Sequence, residues 1–335
     1  MRAVLTVAHG GRENLQLRSD WPVPVPADHE VLLRIAFTSV NYHDIFTRRG
    51  MPGVRVTLPV IVGSDIAGTV AAVGKAVNPG WIGKRVLVDP VLRGERFGML
   101  GETLPGGRAD QIAVAESMLI EMPAQVTFAQ AASLPLAYGT AYRMLITRGQ
   151  VKAGEKVLIL GASGGVGVAC VQLAKMLGAE VLACASNPTK LQRLREVGAD
   201  HVADYTKQPF LDAVKEIYGK PRITGSGGVD VAVNFTGGDT LVPTQKCVRQ
   251  GGRILCCGAT AGFNLQLDAR YWWTFEQTLI GSDGWLKQDL ASLLELVAAR
   301  RLDPVIDRVL PLEQTAEAER LLEDREVFGK VLIRP

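Results

Sequence analysis

A glycine-rich turn between a buried strand and a helix is the feature that most constrains how this chain folds. The stretch KVLILGASGGVGVACVQLAKMLGAEV, residues 156–181, begins as an apolar strand, turns at Gly161–Gly167 and continues with a helical pattern. The first free N–H groups of such a helix face outward and bind a pyrophosphate. Glycines alone are also typical of an ordinary tight turn. Between a strand and a helix, with a second strand following, they predict a dinucleotide site.

The turn itself contains the predicted phosphate contacts. Ala162 stands where the dinucleotide fingerprint has its first glycine, so the match to that fingerprint is incomplete. Glycines at the other positions still let the backbone approach a pyrophosphate closely. The residues that we expect to lie against the cofactor phosphates are Ser163, Gly164, Gly165 and Val166.

The end of the following strand predicts which dinucleotide is bound. An NAD site has an acidic residue there, about 20 residues beyond the glycines, to accept the ribose hydroxyls. No acidic residue occurs between Val181 and Arg195; Ser186 stands at the acidic position, and Lys190 follows it. Because donors and positive charge suit an adenosine 2′-phosphate, we expect NADP(H). The alternative is that the basic residues here, which include Arg193, form the exposed face of a helix.

Three parts of the chain differ in their secondary-structure patterns. Residues 1–124 contain short β segments broken by glycine and proline, which is typical of a small antiparallel barrel or sandwich. In residues 125–303 apolar strands alternate with amphipathic helices, which predicts a parallel sheet covered on both faces. Residues 304–335 have the pattern of a strand, a helix and a last strand. The predicted fold class is α/β, with a doubly wound parallel-sheet domain and a mainly-β domain.

Composition excludes several other classes of protein. A chain of 335 residues is long for one core, so two domains are expected. The net charge of +3 comes from interspersed signs without a basic patch, so no nucleic-acid partner is expected. No apolar run of about 18 residues occurs and the start has no apolar leader, so neither a membrane span nor a signal peptide is expected. The five cysteines have no regular spacing, which indicates reduced thiols and a cytoplasmic protein.

A cluster of polar side chains follows the apolar run 31–37 and consists of Asn41, Tyr42, His43 and Asp44. Such a cluster fits a metal site, an acid–base centre, a cofactor contact or a turn with a satisfied histidine. The pKa of histidine suits proton transfer at neutral pH, so His43 is a candidate acid. The residues of the cluster alone leave these alternatives open.

Taken together, these motifs resemble the medium-chain dehydrogenase/reductase superfamily along essentially the whole chain. The resemblance rests on NYHD, GSDIAGTVAAVG, YGTAYRML, the glycine turn, GGRILCCGA and FGKVLI. Within the superfamily the chain is similar to the zinc-free quinone oxidoreductase branch, and some motifs of its first domain are shared with zinc alcohol dehydrogenases. The resemblance implies a GroES-like catalytic domain in residues 1–124, a Rossmann-type NADP(H)-binding domain in 125–303, and a segment returning to the catalytic domain in 304–335.

The zinc ligands of other members of that superfamily are missing from this sequence. At the positions of the catalytic zinc ligands the resemblance places Asn41, Ser64 and Leu136. Zinc sites use thiolate, imidazole or carboxylate ligands, so these three residues do not form one. The four-cysteine structural site also has no counterpart, because residues 1–169 contain no cysteine. A metal held by His43, Asp44 and Asp65 is the alternative, although their spacing is unusual for a metal site.

The resemblance also implies roles for individual residues. Asn41 would lie beside the nicotinamide ribose and the substrate. His43 stands where the zinc enzymes have the hydroxyl that begins their proton relay; it is either a proton donor or a histidine with no catalytic part. Lys190 and Tyr205 match the pair that holds the 2′-phosphate in the quinone oxidoreductase branch. The remaining implied cofactor contacts are Thr140, Gly258 and Ala259 at the nicotinamide end and Lys330 at the phosphates.

A site without zinc favours particular substrates. Hydride transfer to an isolated carbonyl makes a localised alkoxide, which zinc would stabilise as a Lewis acid. Hydride transfer to a quinone or an α,β-unsaturated carbonyl makes a delocalised anion, which a few hydrogen-bond donors can stabilise. We therefore expect an NADPH-dependent reductase of such substrates. The alternatives are a metal-free alcohol or aldehyde dehydrogenase, and a cofactor-binding protein with an RNA-binding role of the zeta-crystallin type.

An aromatic-rich segment near the end of the nucleotide domain bears on assembly. Residues 271–285, YWWTFEQTLIGSDGW, concentrate aromatic side chains around a predicted strand. A strand at the end of a sheet exposes unpaired backbone groups unless something covers it. The resemblance suggests that two subunits pair at this strand, which predicts a homodimer. A place in the substrate cleft or in the domain core explains the aromatic residues as well.

Overall fold

The computed structural model describes residues 1–94 and 97–335, and these residues form two compact units. Unit 1 comprises Met1–Ala137 and Lys287–Pro335, and unit 2 comprises Tyr138–Leu286. The domain boundaries predicted after residues 124 and 303 stay a prediction.

Hydrogen bonds within unit 1 fix the ends of its two segments. The N–H of Leu136 donates to the carboxylate of Asp65 at 2.9 Å, which fixes the segment after residue 124 in unit 1. The ammonium of Lys287 donates to the carbonyl of Ser117 at 2.6 Å and fixes the start of the second segment. Neither bond can be predicted from hydrophobic periodicity, because each joins residues far apart in the sequence.

Unit 1 is built on a mixed sheet. Its strands are β1 (Ala3–Thr6), β2 (Leu15–Arg18), β3 (Glu30–Val40), β4 (Val60–Ile61), β5 (Asp65–Val73), β6 (Arg85–Val88), β7 (Val91–Leu92), β8 (Gly98–Met99), β9 (Gln111–Ala115) and β10 (Leu119–Glu121), with β17 (Ile306–Pro311) and β18 (Lys330–Arg334) from the C-terminal segment; its helices are α1 (Tyr42–Arg49), α2 (Phe128–Ala132), α9 (Lys287–Ala298) and α10 (Thr315–Glu323). The order of the largest sheet is β10-β6-β5-β3-β18-β17, and β9 also pairs with β3.

Strand β3 organises this sheet. Alternate residues Val31, Leu33 and Ile35 are buried in the apolar core, as the two-residue period of a strand requires. Strand β18 pairs antiparallel with the end of β3, with Val331 opposite Val40. This register brings the start of β18 to the point where the chain leaves β3 and enters α1.

Unit 2 contains a six-stranded, wholly parallel sheet with helices between its strands. Its strands are β11 (Lys156–Ile159), β12 (Glu180–Ala185), β13 (His201–Asp204), β14 (Val229–Val233), β15 (Val248–Cys256) and β16 (Thr278–Gly281), and its helices are α3 (Gly139–Tyr142), α4 (Gly165–Met176), α5 (Pro188–Glu196), α6 (Phe210–Tyr218), α7 (Leu241–Gln245) and α8 (Ala269–Thr274). The order is β13-β12-β11-β14-β15-β16. The predicted parallel sheet is confirmed.

The strand order of unit 2 locates its binding edge. The order reverses between β11 and β14, and ligands of such sheets bind beyond the carboxyl ends of the strands at that point.

The helices of both units are short: α4 in unit 2 and α9 in unit 1 span 12 residues each. In the part of the chain that the structure describes, no helix has the length and apolar composition needed to cross a bilayer.

Candidate active site

The glycine turn joins β11 to α4 as predicted. Gly161 has a φ of +61°, a left-handed conformation that glycine adopts without strain. A Cβ atom on Gly167 would lie 2.3 Å from the carbonyl oxygen of Gly161, so the first turn of α4 approaches β11 too closely for any side chain. The turn therefore needs glycine at both positions for geometric reasons.

The N-terminus of α4 is open. Gly164 is the exposed N-cap residue and carries no capping side chain, so the first N–H groups of the helix have no side-chain partner there. A Cβ atom on Gly164 would meet only the carbonyl of Gly161, at 3.7 Å. Ser163, Gly165 and Val166 are partly exposed around this end. The residues present thus fit a pyrophosphate, because uncapped N–H groups at a helix N-terminus bind anions.

The residues predicted to hold a 2′-phosphate follow neighbouring strands. Strand β12 pairs with β13 so that Ala185 lies opposite Asp204, and Ser186 and Tyr205 come directly after these two residues. Lys190 is in the first turn of α5 and is nearly buried, whereas Tyr205 is exposed. The sheet order brings all three to the carboxyl edge, and their contact with a phosphate stays a prediction.

The loop after β15 contains Gly258 and Ala259 and is hydrogen-bonded to the loop after β14. The N–H of Ala261 donates to the carbonyl of Thr236 at 2.7 Å. Both loops lie at the carboxyl edge, where the sequence placed the nicotinamide pocket. Thr140, in α3, is buried in unit 2. The nicotinamide contacts of these residues stay predictions.

In unit 1 the polar cluster begins helix α1. Asn41 is the N-cap residue, and its backbone N–H donates to the carboxylate of Asp44 at 2.9 Å. This reciprocal arrangement at a helix start satisfies N–H groups that have no partner within the helix. The cluster is therefore partly a helix cap, and capping is the role of the Asp44 carboxylate in it. The side chains of Asn41 and His43 have further contacts.

The carboxylate of Asp65 collects four donors inside unit 1. Its Oδ2 atom accepts from Ser39 Oγ at 2.6 Å, from Asn41 Nδ2 at 2.9 Å and from the ammonium of Lys330 at 3.3 Å. Its Oδ1 atom accepts from the N–H of Leu136 at 2.9 Å. All of these side chains are buried, so Asp65 fixes the chain at the ends of β3 and β18 and at residue 136.

Lys330 has contacts that the sequence did not predict. Its ammonium donates to the side-chain oxygen of Asn41, to the carbonyl of Val40 at 3.3 Å and to Asp65. An ammonium has three donors, so these partners use all of them. Burial lowers the pKa of Lys330 below its ordinary value, and the charges of Asp65 and Asp44 oppose that shift. The phosphate contact implied for Lys330 stays a prediction, and in this structure the group faces Asn41 instead.

His43 forms an ion pair with Glu102. Nε2 of His43 lies 2.9 Å from Oε2 of Glu102, within ion-pair distance, and the two side chains are 21% and 12% exposed. Burial lowers the pKa of His43, but the negative charges of Glu102, Asp44 and Asp65 raise it by more, so its net shift is upward. An upward shift of the pKa favours the protonated ring, which is the form that can donate a proton.

A chain of buried charges lies behind α1. Arg108 donates to Asp44 at 2.8 Å and also to Glu319, and Glu319 accepts from Arg48 Nε at 2.6 Å. All four side chains are at most 1% exposed. These pairs join α1 to α10 and to residue 108, so they hold the helix that begins with Asn41 and His43.

Known proteins resemble the chain along its whole length. Residues 27–124 match the alcohol dehydrogenase GroES-like domain family, and residues 165–299 match the zinc-binding dehydrogenase family. The chain is 31% identical to quinone oxidoreductase from Homo sapiens over 340 residues, which cover 99% of this chain and 97% of that protein.

Solved structures give the same result. The crystal structure of an NAD-dependent alcohol dehydrogenase is 35% identical, with complete coverage of both chains and a TM-score of 0.92. A cobalt- and zinc-bound thermostable alcohol dehydrogenase from Pyrobaculum aerophilum is 30% identical, with a TM-score of 0.88 and coverage of 100% of this chain and 99% of that chain. This chain belongs to the medium-chain dehydrogenase/reductase superfamily.

Membership in the superfamily confirms the predicted fold class. Unit 1 contains the GroES-like domain and unit 2 the Rossmann-type parallel sheet. The chain is therefore an oxidoreductase, since the quinone oxidoreductase and alcohol dehydrogenases that it resembles are oxidoreductases.

The three positions of zinc ligands in this superfamily hold an unsuitable donor set in this chain. Asn41 offers an amide, Leu136 offers only its backbone, and the buried hydroxyl of Ser64 has no hydrogen-bond partner. The ammonium of Lys330 lies 3.3 Å from Asp65, the neighbouring carboxylate, and would repel a second cation there. Among residues 1–94 and 97–335 no three His, Cys, Asp or Glu side chains are placed to hold a metal, so the alternative set with His43 is not assembled either.

Sequence reasoning missed Glu102, Arg108 and Glu319. The partner of each is at least 59 positions away, as Glu102 is from His43, and Glu319 lies among other charged residues of α10 that do not mark it out. The one available signal was the glycine-rich context of Glu102 in GMLGETLPGG, which indicates a tightly packed loop.

Proposed function

We propose that this protein is an NADPH-dependent, zinc-independent oxidoreductase that delivers hydride to a quinone or an α,β-unsaturated carbonyl. The observation that supports it most is the buried ion pair of Asp65 and Lys330 beside Asn41, which is one of the positions where the resemblance implies a zinc ligand. Without a Lewis acid, a substrate whose reduced form spreads its negative charge is favoured over an isolated carbonyl.

The side chains of unit 1 supply the acid chemistry in this proposal. A bound NADPH supplies the hydride. Three carboxylates raise the pKa of His43, and in this proposal its protonated ring gives a proton to the oxygen of the reduced substrate. Hydrogen bonds to Lys330 and Asp65 hold the side-chain amide of Asn41 in one orientation. In this proposal the amide contacts the substrate or the ribose in that orientation.

The cofactor preference is proposed from the edge of unit 2. The open N-terminus of α4 would hold the pyrophosphate, and Ser186, Lys190 and Tyr205 would hold the 2′-phosphate. No acidic residue occurs at the end of β12, between Val181 and Arg195, to accept the ribose hydroxyls of NAD.

Replacing Lys190 with alanine should weaken NADPH binding by about 1–3 kcal/mol and leave NADH binding nearly unchanged, because the lost charge-assisted bond is made only to the 2′-phosphate. Fluorescence titration of the two cofactors measures both dissociation constants. Lys215→Ala, on the exposed face of α6, is the matched control and should change neither constant. Equal losses for both cofactors in Lys190→Ala would contradict the assignment.

A second candidate function is alcohol oxidation, which the likeness to the NAD-dependent alcohol dehydrogenase structure favours. Initial rates of cofactor oxidation separate the two candidates. The proposal predicts that NADPH is oxidised by a quinone or an enone much faster than by an isolated ketone. Faster turnover of simple alcohols and ketones, with NAD(H), would support the second candidate instead.

We also propose that the protein is a cytoplasmic homodimer that pairs through β16. This strand is the edge of the sheet in unit 2, and the side chain of Leu279 on it is exposed. Trp272 and Trp273 are exposed too, so they do not belong to the domain core, whereas Trp285 is buried. An exposed edge strand beside exposed aromatic side chains suits an interface between copies; the mass of the protein in solution tests it.

A further inference from the structure

We propose that Glu102 is a positioning residue for proton transfer: it holds the Nε2 side of the His43 ring, so that Nδ1 is the atom that gives the proton to substrate. This inference rests on the function proposed above. It assigns a role to a loop of unit 1 that neither the sequence nor the superfamily relationship singled out.

The loop that carries Glu102 is rigidly placed. The N–H of Leu100 donates to the carbonyl of Pro90 at 2.9 Å, and the N–H of Gly106 donates to the carbonyl of Ile61 at 2.6 Å. Gly101 has a φ of +76°, and a Cβ atom on it would lie 2.6 Å from the backbone nitrogen of Gly63. The loop is therefore pressed against the segment before β5, and the backbone of Glu102 has little freedom to move away from His43.

The carboxylate of Glu102 forms an ion pair with His43. Three carboxylates raise the pKa of His43, but Asp44 is paired with Arg108 and Asp65 with Lys330. Glu102 instead forms its ion pair with His43 itself, at 2.9 Å. Glu102 is thus the carboxylate whose removal should change the ring most, while leaving the buried pairs behind α1 intact.

The proton balance follows from this arrangement. As hydride adds to the conjugated carbon, the electron pair of the C=C bond forms a new double bond to the carbonyl carbon, and the π pair of the C=O bond moves onto the oxygen, which gives an enolate. Protonation of that oxygen gives the enol, which tautomerises to the ketone in water. The Nδ1–H bond of His43 breaks and an O–H bond forms on the substrate. The neutral ring keeps its Nε2 proton beside Glu102, and a proton from water then restores the charge. A carboxylate on one nitrogen that orients the other for proton transfer is an established arrangement in enzymes.

Replacing Glu102 with glutamine tests the proposal through activity. We expect kcat for the conjugated substrate to fall about 10-fold or more, the scale of losing a group that orients a working histidine, with KM for NADPH nearly unchanged. Because the protonated ring is the active form, the rate falls as pH rises through the pKa of His43. Without Glu102 that pKa decreases, so the fall should begin at lower pH in Glu102→Gln than in the wild type.

A titration of the histidine ring gives a readout that does not depend on turnover. The chain has four histidines, so the ring protons can be followed by NMR, with His43→Ala identifying the signal of His43. The pKa of His43 should decrease in Glu102→Gln. The matched control is Glu180→Gln, which removes the partner of His201 from a comparable pair at 3.0 Å whose side chains are 38% and 39% exposed. That variant should leave the titration of His43 and the activity unchanged.

The outcomes distinguish this inference from the function on which it rests. If the wild type reduces conjugated substrates, and Glu102→Gln leaves both kcat and the titration of His43 unchanged, Glu102 has no positioning role. If the wild type reduces none of them while the titration still shifts, the function is wrong but the pair is real. A folded variant is verified by its circular dichroism spectrum, since Glu102 is near the surface and its loss should not unfold unit 1.

Discussion

Replacing Arg108 with methionine should lower the free energy of unfolding by about 3–5 kcal/mol. The guanidinium of Arg108 is completely buried and pairs with Asp44 at 2.8 Å and with Glu319. Methionine fills much of the same space but leaves Asp44 without its cation in the protein interior, and leaves Glu319 with Arg48 alone. A buried charge without a partner costs far more than an exposed one, because no water replaces the lost contact. Urea denaturation measures the change.

Arg18→Met is the matched control for this measurement. Arg18 pairs with Asp20 on the surface of the same unit, with side chains 47% and 69% exposed. Exposed pairs contribute about 0–1 kcal/mol, so this variant should be nearly as stable as the wild type. Equal, small changes in both variants would show that the buried chain of charges does not stabilise unit 1.

Replacing His43 with alanine should lower kcat by roughly 10²–10⁴-fold, the range for losing a general acid, with little change in cofactor affinity. The reason is the environment of the ring: it lies at the start of α1, is paired with Glu102, and its pKa is shifted upward, which favours the protonated form. Alanine keeps the helix but supplies no proton to the reduced substrate. Steady-state rates with an enone and NADPH measure the effect.

His201→Ala is the control for the loss of a histidine that is paired with a glutamate. His201 lies on β13 of unit 2 and pairs with Glu180 near the surface, away from the carboxyl ends of the strands. This variant should retain the wild-type kcat. A drop of less than a few-fold in His43→Ala would instead mean that His43 has no catalytic part.

The parts of the fold that depend on local pattern could be predicted from the sequence. The glycine turn between β11 and α4 could be predicted because its requirements are local. They are a left-handed conformation at Gly161 and the absence of a side chain at Gly167. Alternating apolar strands and amphipathic helices specified the parallel sheet in the same way. The extent of compact unit 1 could not be predicted, because it depends on hydrogen bonds such as that of Leu136 to Asp65.

The candidate site could be predicted only in part. Asn41 and His43 were recognised because they stand together in a polar cluster and match a motif of the superfamily. Their partners Asp65, Glu102 and Lys330 meet them only when β3, β5, β18 and the loop at residue 102 come together. The role of a buried charged residue depends on the residue that it contacts in the folded protein. The neighbouring sequence therefore does not reveal that role.

The central claim is that this protein transfers hydride from NADPH to a conjugated carbonyl without a metal. The most direct test measures initial rates with a quinone or an enone, with NADPH and with NADH, after dialysis against a chelator and with the zinc content determined on the same sample. We predict much less than one zinc per chain, undiminished rates after chelation, and a clear preference for NADPH. One tightly bound zinc per chain, with activity that disappears on chelation, would contradict the account.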